Sequence, residues 1–280
     1  MNELSARCIM NHKVEISIII PAFNEEKTIS ECLKRTLSYC LDKHSDFEII
    51  IAEDGSDDNT VKIIEDFTQK DERIKLISIK ERLGKGGAIA NAMLTAKKKY
   101  VAFMDADLSA DPFEFQRLFE EITNFDIVIG SRLLRGNLSS VKRPAYRTLF
   151  SYLYSMLFRF LFKIPIHDPQ CGFKLFRQEV IPDLFMKIKT TRFAFDSEVV
   201  VNAYNIGLRI KEVPIIWRHE KASKISVITQ IKEMGQDLLS VWYESYVLYQ
   251  QNSGVYPEKK GSRKTRVLFW FLSLYKKPRD

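Results

Sequence analysis

Five short runs, Ile16–Ile20, Glu48–Ala52, Ile74–Ile79, Tyr100–Met104 and Ile127–Ile129, recur through the first half of the chain, and most carry Ile or Val at consecutive positions instead of alternate ones. Strands without a polar face must be covered on both sides, which is the situation of a parallel sheet between helical layers. Helical patterns near Lys27–Leu41, Thr60–Gln69, Gly87–Lys98 and Pro112–Ile122 fill the intervals. Pro112 follows Asp111 and fits the first turn of its helix, where a missing N–H breaks no bond. The alternation predicts a doubly wound α/β sheet. Ligands of such sheets bind beyond the carboxyl ends of the strands, so the residues just after each run come first.

Those ends are acidic. Pro21-Ala22-Phe23-Asn24-Glu25-Glu26 follows the first run, Glu53-Asp54-Gly55-Ser56-Asp57-Asp58 the second, and Asp105-Ala106-Asp107 the fourth. Taken singly, each also reads as a solvated turn before a helix cap, and Asp57, Asp58 and Asn59 ahead of Thr60 fit that description. Three such clusters on one edge of one sheet need a further reason. Asp105 and Asp107 make a D-x-D pair, whose carboxylates repel when both are ionised and favour a divalent cation between them. Mg²⁺ or Mn²⁺ takes carboxylate and phosphate oxygens together, so the pair suits a diphosphate. Asp54 is placed to accept hydrogen bonds from a base or ribose. Arg82-Leu83-Gly84-Lys85-Gly86-Gly87-Ala88 opens a helix, where glycines admit phosphate oxygens and the helix start attracts anions. It is neither a Walker A sequence nor G-x-G-x-x-G and does not follow the first strand, which argues against a kinase or a dinucleotide-binding protein.

Charge and composition narrow the partners. The 280 residues suffice for a large core, and a net charge of +7 fits phosphate-bearing partners in general. Acids gathered at the strand ends would repel nucleic acid, so no nucleic-acid partner is expected. Cys8, Cys32, Cys40 and Cys171 lack metal-ligand or disulfide-framework spacing and read as reduced thiols. His12, His44, His167 and His219 are scattered without ligand spacing and read as surface or supporting groups. The first fifteen residues hold charged groups and no long apolar stretch, so a signal peptide is not expected, nor is a spanning helix anywhere.

The second half changes character. Tyr146–Lys163 is aromatic or aliphatic almost all round, with Arg147, Arg159 and Lys163 interspersed. It reads either as a buried core helix or as a helix lying at a membrane interface with its cations at headgroup level. Between Glu258 and Asp280 there are eight Lys or Arg and two acids around the apolar run Val267–Tyr275. That run is too short to span a bilayer but suits its surface. The expected layout is an extension over 1–13, a domain over 14–250 with halves 14–135 and 136–250 and an interfacial helix at 145–163, and a membrane-surface tail over 251–280.

Ile18–Glu26, Glu53–Asp58 and Asp105-Ala106-Asp107-Leu108 resemble the successive signatures of the GT-A-fold family 2 glycosyltransferases. Within that family, Arg82–Ala88, Asp168–Phe176, Arg192–Glu198 and Glu212–Ile215 followed by Ser223-Lys224 are similar to the polyprenyl-phosphate sugar synthases, and to dolichyl-phosphate glucose synthases especially. The resemblance covers roughly residues 14–245. It implies a GT-A fold with a mixed doubly wound sheet and C-terminal interfacial helices. It implies that Pro21, Ala22, Phe23, Asn24 and Glu25 line the nucleotide pocket, with Phe23 where the family often has Tyr. Asp54 would hold uracil or ribose, Lys85 would sit over the nucleotide or diphosphate, and Asp105, Ala106 and Asp107 would meet ribose, metal and diphosphate. Ser109 stands where mannose synthases place Gln as a further metal ligand. Arg132, Arg143 and Arg147 would receive the acceptor phosphate, and Lys224 would help close the site, with Ala222 in place of the usual Gly.

The implied reaction moves a sugar from a UDP-sugar, glucose before N-acetylglucosamine, or else mannose from GDP-mannose, to dolichyl or polyprenyl phosphate with inversion at the anomeric carbon, on the cytoplasmic face of a membrane. A phosphate acceptor is already ionised near neutral pH, so no strong general base is needed, and positioning and electrostatics carry the catalysis. Asp168 is the carboxylate to watch as an orienting or basic residue, or else it is a cap or a salt-bridge partner of Arg143 or Arg147. The alternatives are transfer to a saccharide hydroxyl, which would need a true base, and nucleotidyl transfer. The latter would be expected to place a Gly-rich basic loop where Pro21–Glu26 stands.

Overall fold

The computed structural model describes residues 14–44, 46–79, 81–134, 145–190, 194–218 and 234–245. The strands are β1 (Ile16–Ala22), β2 (Phe47–Glu53), β3 (Ile74–Ser78), β4 (Tyr100–Met104), β5 (Ile127–Ser131), β6 (Phe173–Arg177) and β7 (Ile210–Pro214). The α-helices are α1 (Ile29–Lys43), α2 (Thr60–Thr68), α3 (Lys85–Thr95), α4 (Phe115–Phe119), α5 (Ala145–Phe162), α6 (Ile181–Phe185) and α7 (Phe195–Asn205). The chain divides into two units, Met1–Val241 and Trp242–Asp280. All of these elements lie in the first, whose residues 234–241 are also helical; in the second, residues 242–245 are helical.

The strands form one sheet in the order β3-β2-β1-β4-β6-β5-β7. β3, β2, β1 and β4 run parallel, and β1 and β2 are buried along almost their whole length, as their continuous apolarity requires. β6 runs antiparallel between β4 and β5, and β7 is parallel to β5, so the sheet is mixed. The inserted strand decides the site. Its register sets Phe173 opposite Met104 and Lys174 opposite Ile129, so residues 168–172, entering β6, lie where β4 and β5 end. Six strand ends therefore open onto one edge. Strand order also reverses between β1 and β4, the place where doubly wound sheets form their ligand crevice.

Pro112 begins a short 3₁₀ turn that leads into α4, and the Asp111 side chain caps it by accepting the Phe113 N–H. Stacked rings hold this corner to the sheet, with Phe115 and Phe173 centroids 3.9 Å apart. His44, expected to be a surface or supporting group, is buried. Its Nδ1 lies 2.8 Å from the Val14 carbonyl, and its ring packs against Tyr39 and Phe119.

The reading of α5 as a core helix holds for one of its faces, and the other face is exposed. Phe158 and Ser155 are buried, with Tyr154, Leu161 and Phe162 packed on the core. Leu149, Tyr152, Leu153, Met156, Leu157 and Phe160 form a continuous exposed stripe at spacings of three and four. Among the described residues no helix is long and apolar enough to cross a membrane. The extension 1–13 and the tail 251–280 lie outside the described residues.

Candidate active site

The loops after β1 and β2 are tied to each other by the polar groups that looked like caps. Asn24 adopts a left-handed backbone (φ 57°), which Asn tolerates better than most residues. Its N–H donates to the Ser56 hydroxyl (3.0 Å) and its side-chain oxygen accepts the Asp57 N–H (3.0 Å). The Glu25 N–H donates to Thr60 Oγ1 at 2.8 Å, and Asp58 accepts the N–H groups of Thr60 (2.8 Å) and Glu26 (3.2 Å). Asp58 therefore holds the two loops together through its carboxylate, while Asp57 takes part through its backbone N–H. Glu53, buried at the end of β2, accepts from the Ser78 hydroxyl and the Ser56 amide and fixes the turn at Gly55.

Asp54 is buried at the same edge, next to Ala22 at the end of β1. Its Oδ1 accepts the Leu83 N–H at 2.7 Å, and Arg82 Nε lies 3.7 Å from Oδ2. The Arg82 guanidinium lies 3.7 Å from the Phe23 ring centre, a cation–π contact. Pro21 and Ala22 are the last residues of β1, directly before Phe23. Phe23, Asp54 and Arg82 thus come together from three loops, a role for Arg82 that its place in a glycine-rich stretch does not reveal.

Gly84 turns the chain with φ 81° into α3, whose first residue is Lys85. Lys85 Nζ lies 2.6 Å from Asp105 Oδ1. Burial works against its charge, but Asp105, Asp196 and Asp107 outweigh that and hold the ammonium above the usual lysine range. Gly86 lets the helix approach closely, because a Cβ there would sit 2.6 Å from both Phe195 Cβ and the Thr190 carbonyl.

Asp105, Ala106 and Asp107 follow β4. Asp107 is held by Ser109, whose N–H and hydroxyl donate to its two oxygens at 2.8 and 2.9 Å. Leu108 between them has φ 55°, a strained conformation for so bulky a side chain, and such strain concentrates at functional sites. Burial, then the neighbouring Asp105, push the Asp107 carboxyl above its usual range despite the Ser109 bonds. Burial raises Glu25 as well, opposed by the Thr28 hydroxyl and reinforced by Asp107 and Asp105. The crowded carboxylates and their oxygen-only donor set are what a hard divalent cation fits. Among the described residues no group of three or more His, Cys, Asp or Glu side chains is arranged to hold a metal. A cation here would therefore rely on the D-x-D pair and on oxygens from its ligand.

On the other side of the edge stands Asp168, buried in the loop entering β6. It accepts three hydrogen bonds from Arg132, from the backbone N–H (2.8 Å), Nε (2.7 Å) and Nη2 (2.7 Å). Burial alone would raise the Asp168 carboxyl, but Arg132 overrides it and holds the group below its usual range. Among the described side chains its salt-bridge partner is Arg132, because β5 ends beside the loop entering β6. The guanidinium also lies 5.1 Å from the Trp217 ring centre. The two sides meet at Gly172. A Cβ there would fall 2.7 Å from the Asp105 carboxyl carbon, so only glycine lets the carboxylate rest on this loop. Arg143 and Lys224 lie outside the described residues, and of Arg147 only its place in the first turn of α5 is described.

One buried pair carried no assigned role in the sequence. Lys174 on β6 is fully buried and donates to the Cys171 carbonyl at 2.7 Å and to Asp196 at the start of α7. Lys85 and Lys174 both act on Asp196, so charges of alternating sign run from Asp105 into the core. The fully buried placement of Lys174 is invisible to a pattern search, because an isolated Lys in an apolar strand reads as an edge position.

Paired carboxylates bonded to a lysine at a helix start, at the switch point of a mixed α/β sheet, fit a nucleotide-sugar transferase. The model of glycosyl transferase family 2 matches residues 17–185, and the chain belongs to that family. It is a glycosyltransferase. It is 32% identical over 236 residues to glycosyltransferase AglD of Haloferax volcanii, covering 82% of this chain and 37% of that protein. It is 32% identical over 243 residues to dolichyl-phosphate beta-glucosyltransferase of Drosophila melanogaster, covering 82% of this chain and 74% of that one. Among solved structures, glucosyl-3-phosphoglycerate synthase from Mycobacterium tuberculosis, in complex with Mn²⁺, UDP and glucosyl-3-phosphoglycerate, superposes with a TM-score of 0.64. The match covers 88% of this chain and 84% of that one at 17% identity, and shows a shared GT-A fold.

Proposed function

We propose that this enzyme transfers glucose from UDP-glucose to dolichyl phosphate or a related polyprenyl phosphate, with inversion at the anomeric carbon. The observation that carries the reading is the meeting, at Gly172, of a diphosphate side (Asp105, Asp107, Lys85) with a phosphate-acceptor side (Arg132 held by Asp168). The likeness to the Drosophila enzyme, named for dolichyl phosphate and glucose, supports donor and acceptor.

Phe23 and Arg82 hold the base, Asp54 the uracil or ribose, and the chain at Pro21, Ala22, Asn24 and Glu25 lines the same pocket. Lys85 keeps its proton and stabilises the departing diphosphate. Arg132, aimed by Asp168, brings the acceptor phosphate into line against the repulsion of the donor's phosphates. The acceptor oxygen is already ionised, so Asp168 orients and need not take a proton. Asp107 and Asp105 would hold Mg²⁺ or Mn²⁺, with Ser109 fixing Asp107 through its hydroxyl. That cation would supply charge neutralisation for the leaving diphosphate.

A polyprenyl chain stays in the bilayer, so the enzyme must meet it there. The exposed apolar stripe of α5 supports a peripheral seat on the membrane surface, with Arg159 and Lys163 at headgroup depth. Arg143, Arg147, Lys224 and the basic tail are further contributors by sequence. The test is transfer of label from a panel of UDP- and GDP-sugars to dolichyl phosphate in detergent, with Mg²⁺, Mn²⁺ or EDTA. Label entering lipid from UDP-glucose alone, and lost with EDTA, is the expected result. Transfer from no donor to this acceptor, with UDP binding intact, would overturn the acceptor and favour a saccharide hydroxyl.

A further inference from the structure

Glu212 lies on β7 opposite Ile129 of β5, the strand that ends just before Arg132. Its side chain is 6% exposed, and both oxygens are committed to the backbone of the loop entering the site. Oε1 accepts the Asp168 N–H at 2.7 Å, and Oε2 accepts the His167 N–H at 2.7 Å and lies 3.1 Å from His167 Nδ1. The amide donors satisfy both carboxyl oxygens, which is what allows the group to stay buried. The Asp168 amide is thereby fastened to β7, while its carboxylate is fastened to the residue after β5. These strands are parallel neighbours, so Asp168 is fixed from both ends by one rigid pair.

We propose that Glu212 is a positioning residue for the Asp168–Arg132 pair. By gripping two successive amides it sets where the guanidinium is presented to an acceptor anion, without touching donor or acceptor. This rests on the reading of Arg132 as the acceptor-side cation. Glutamate is specific to the task. Gln keeps one oxygen and turns an NH₂ toward the second amide, and Asp is one methylene too short to reach both. A displacement near 1 Å at an aligned group can reduce turnover by about 10²-fold.

The test uses the full chain with Glu212→Gln, Glu212→Asp, Asp168→Asn and the Glu212→Gln/Asp168→Asn double variant. Hydrogen exchange read by mass spectrometry should show faster exchange over 165–171 in Glu212→Gln, with the rest of the chain unchanged. With UDP-glucose and dolichyl phosphate, kcat should fall by about 10- to 100-fold while KM for UDP-glucose stays within about twofold. The double variant should be no more than about threefold slower than Asp168→Asn, because one effect acts through the other. Glu212→Asp serves if Glu212→Gln folds poorly, and it should loosen the same segment. Unchanged exchange over 165–171, or fully additive losses in the double variant, would overturn the proposal. Faster exchange in Glu212→Gln together with a wild type inert toward dolichyl phosphate would support the hold on the loop and overturn the acceptor reading instead.

Discussion

Arg132 and Asp168 are joined three times, through the arginine's backbone N–H, Nε and Nη2, all within 2.8 Å. Two side-chain bonds fix the plane of the guanidinium and the third fixes the backbone behind it, so the cation has one orientation. A planar fork makes this possible where a lysine's point charge would not. Arg132→Lys should therefore leave the buried carboxylate partly unsatisfied. We expect a loss of about 2 kcal/mol in stability and at least about 100-fold in transfer, with UDP affinity unchanged by calorimetry. Normal turnover in this variant would remove the pair from the acceptor side.

Asp107→Asn should separate stability from function. The Asp107 carboxyl is raised by burial and by Asp105, so the folded state disfavours its charge. The sign follows: its ionisation costs stability as pH rises above the ordinary aspartate range, and an uncharged isostere removes that cost. The amide still accepts the Ser109 N–H and meets its hydroxyl. Without metal, Asp107→Asn should match or exceed the wild-type melting temperature at pH 7. Stabilisation by added Mn²⁺ should disappear along with transfer. A variant less stable than wild type in EDTA would contradict the electrostatic account.

Gly172→Ala tests the contact between the two sides. The new methyl would meet the Asp105 carboxylate, which is already tied to Lys85. The carboxylate must yield, loosening the Lys85 pair. Transfer should fall by at least about tenfold, as when a positioned group shifts, while the melting temperature moves by only a few degrees. Wild-type kinetics would show that Asp105 need not stay where it lies.

His44 sets an acid limit on the fold. Burial lowers it from 6.5 to about 4, against the opposing effect of its bond to the Val14 carbonyl. The unfolded chain takes up the proton below about pH 6.5 and the folded chain resists until about 4, so stability is lost as pH falls between those values. Denaturant midpoints at pH 7 and pH 5 should give wild type about 2 kcal/mol more acid loss than His44→Phe, which keeps the ring contacts. Equal losses would assign acid sensitivity elsewhere.

Met156 and Phe160 are 64% and 61% exposed on the outer face of α5. Changing both to Glu should leave the melting temperature nearly unchanged, as exposed positions usually do. Each side chain buried in lipid contributes about 1.5–3 kcal/mol, so co-sedimentation with anionic liposomes should fall by at least tenfold. Unchanged sedimentation would move the membrane seat away from α5.

The first half of the fold was legible because its physics is local. Continuous Ile and Val runs admit only strands covered on both faces, and β1 to β5 fall on the predicted runs to within a few residues. The acidic strand ends were legible for the same reason, since the topology of such sheets sends them all to one edge. Asp57 and Asp58 show the limit of that reading, because their partners lie more than thirty residues away or in their own turn.

What the tertiary structure alone decided was pairing. β6 enters between β4 and β5 in the opposite direction, and no residue pattern within Phe173–Arg177 states that direction. From it follow the resting of Asp105 on Gly172, the choice of Arg132 as partner of Asp168, and the burial of Lys174 against Asp196. Sequence fixes which groups reach the edge, because periodicity is set by neighbours along the chain. Which charge meets which depends on register between distant strands, and that is settled only when the whole sheet closes its hydrogen bonds.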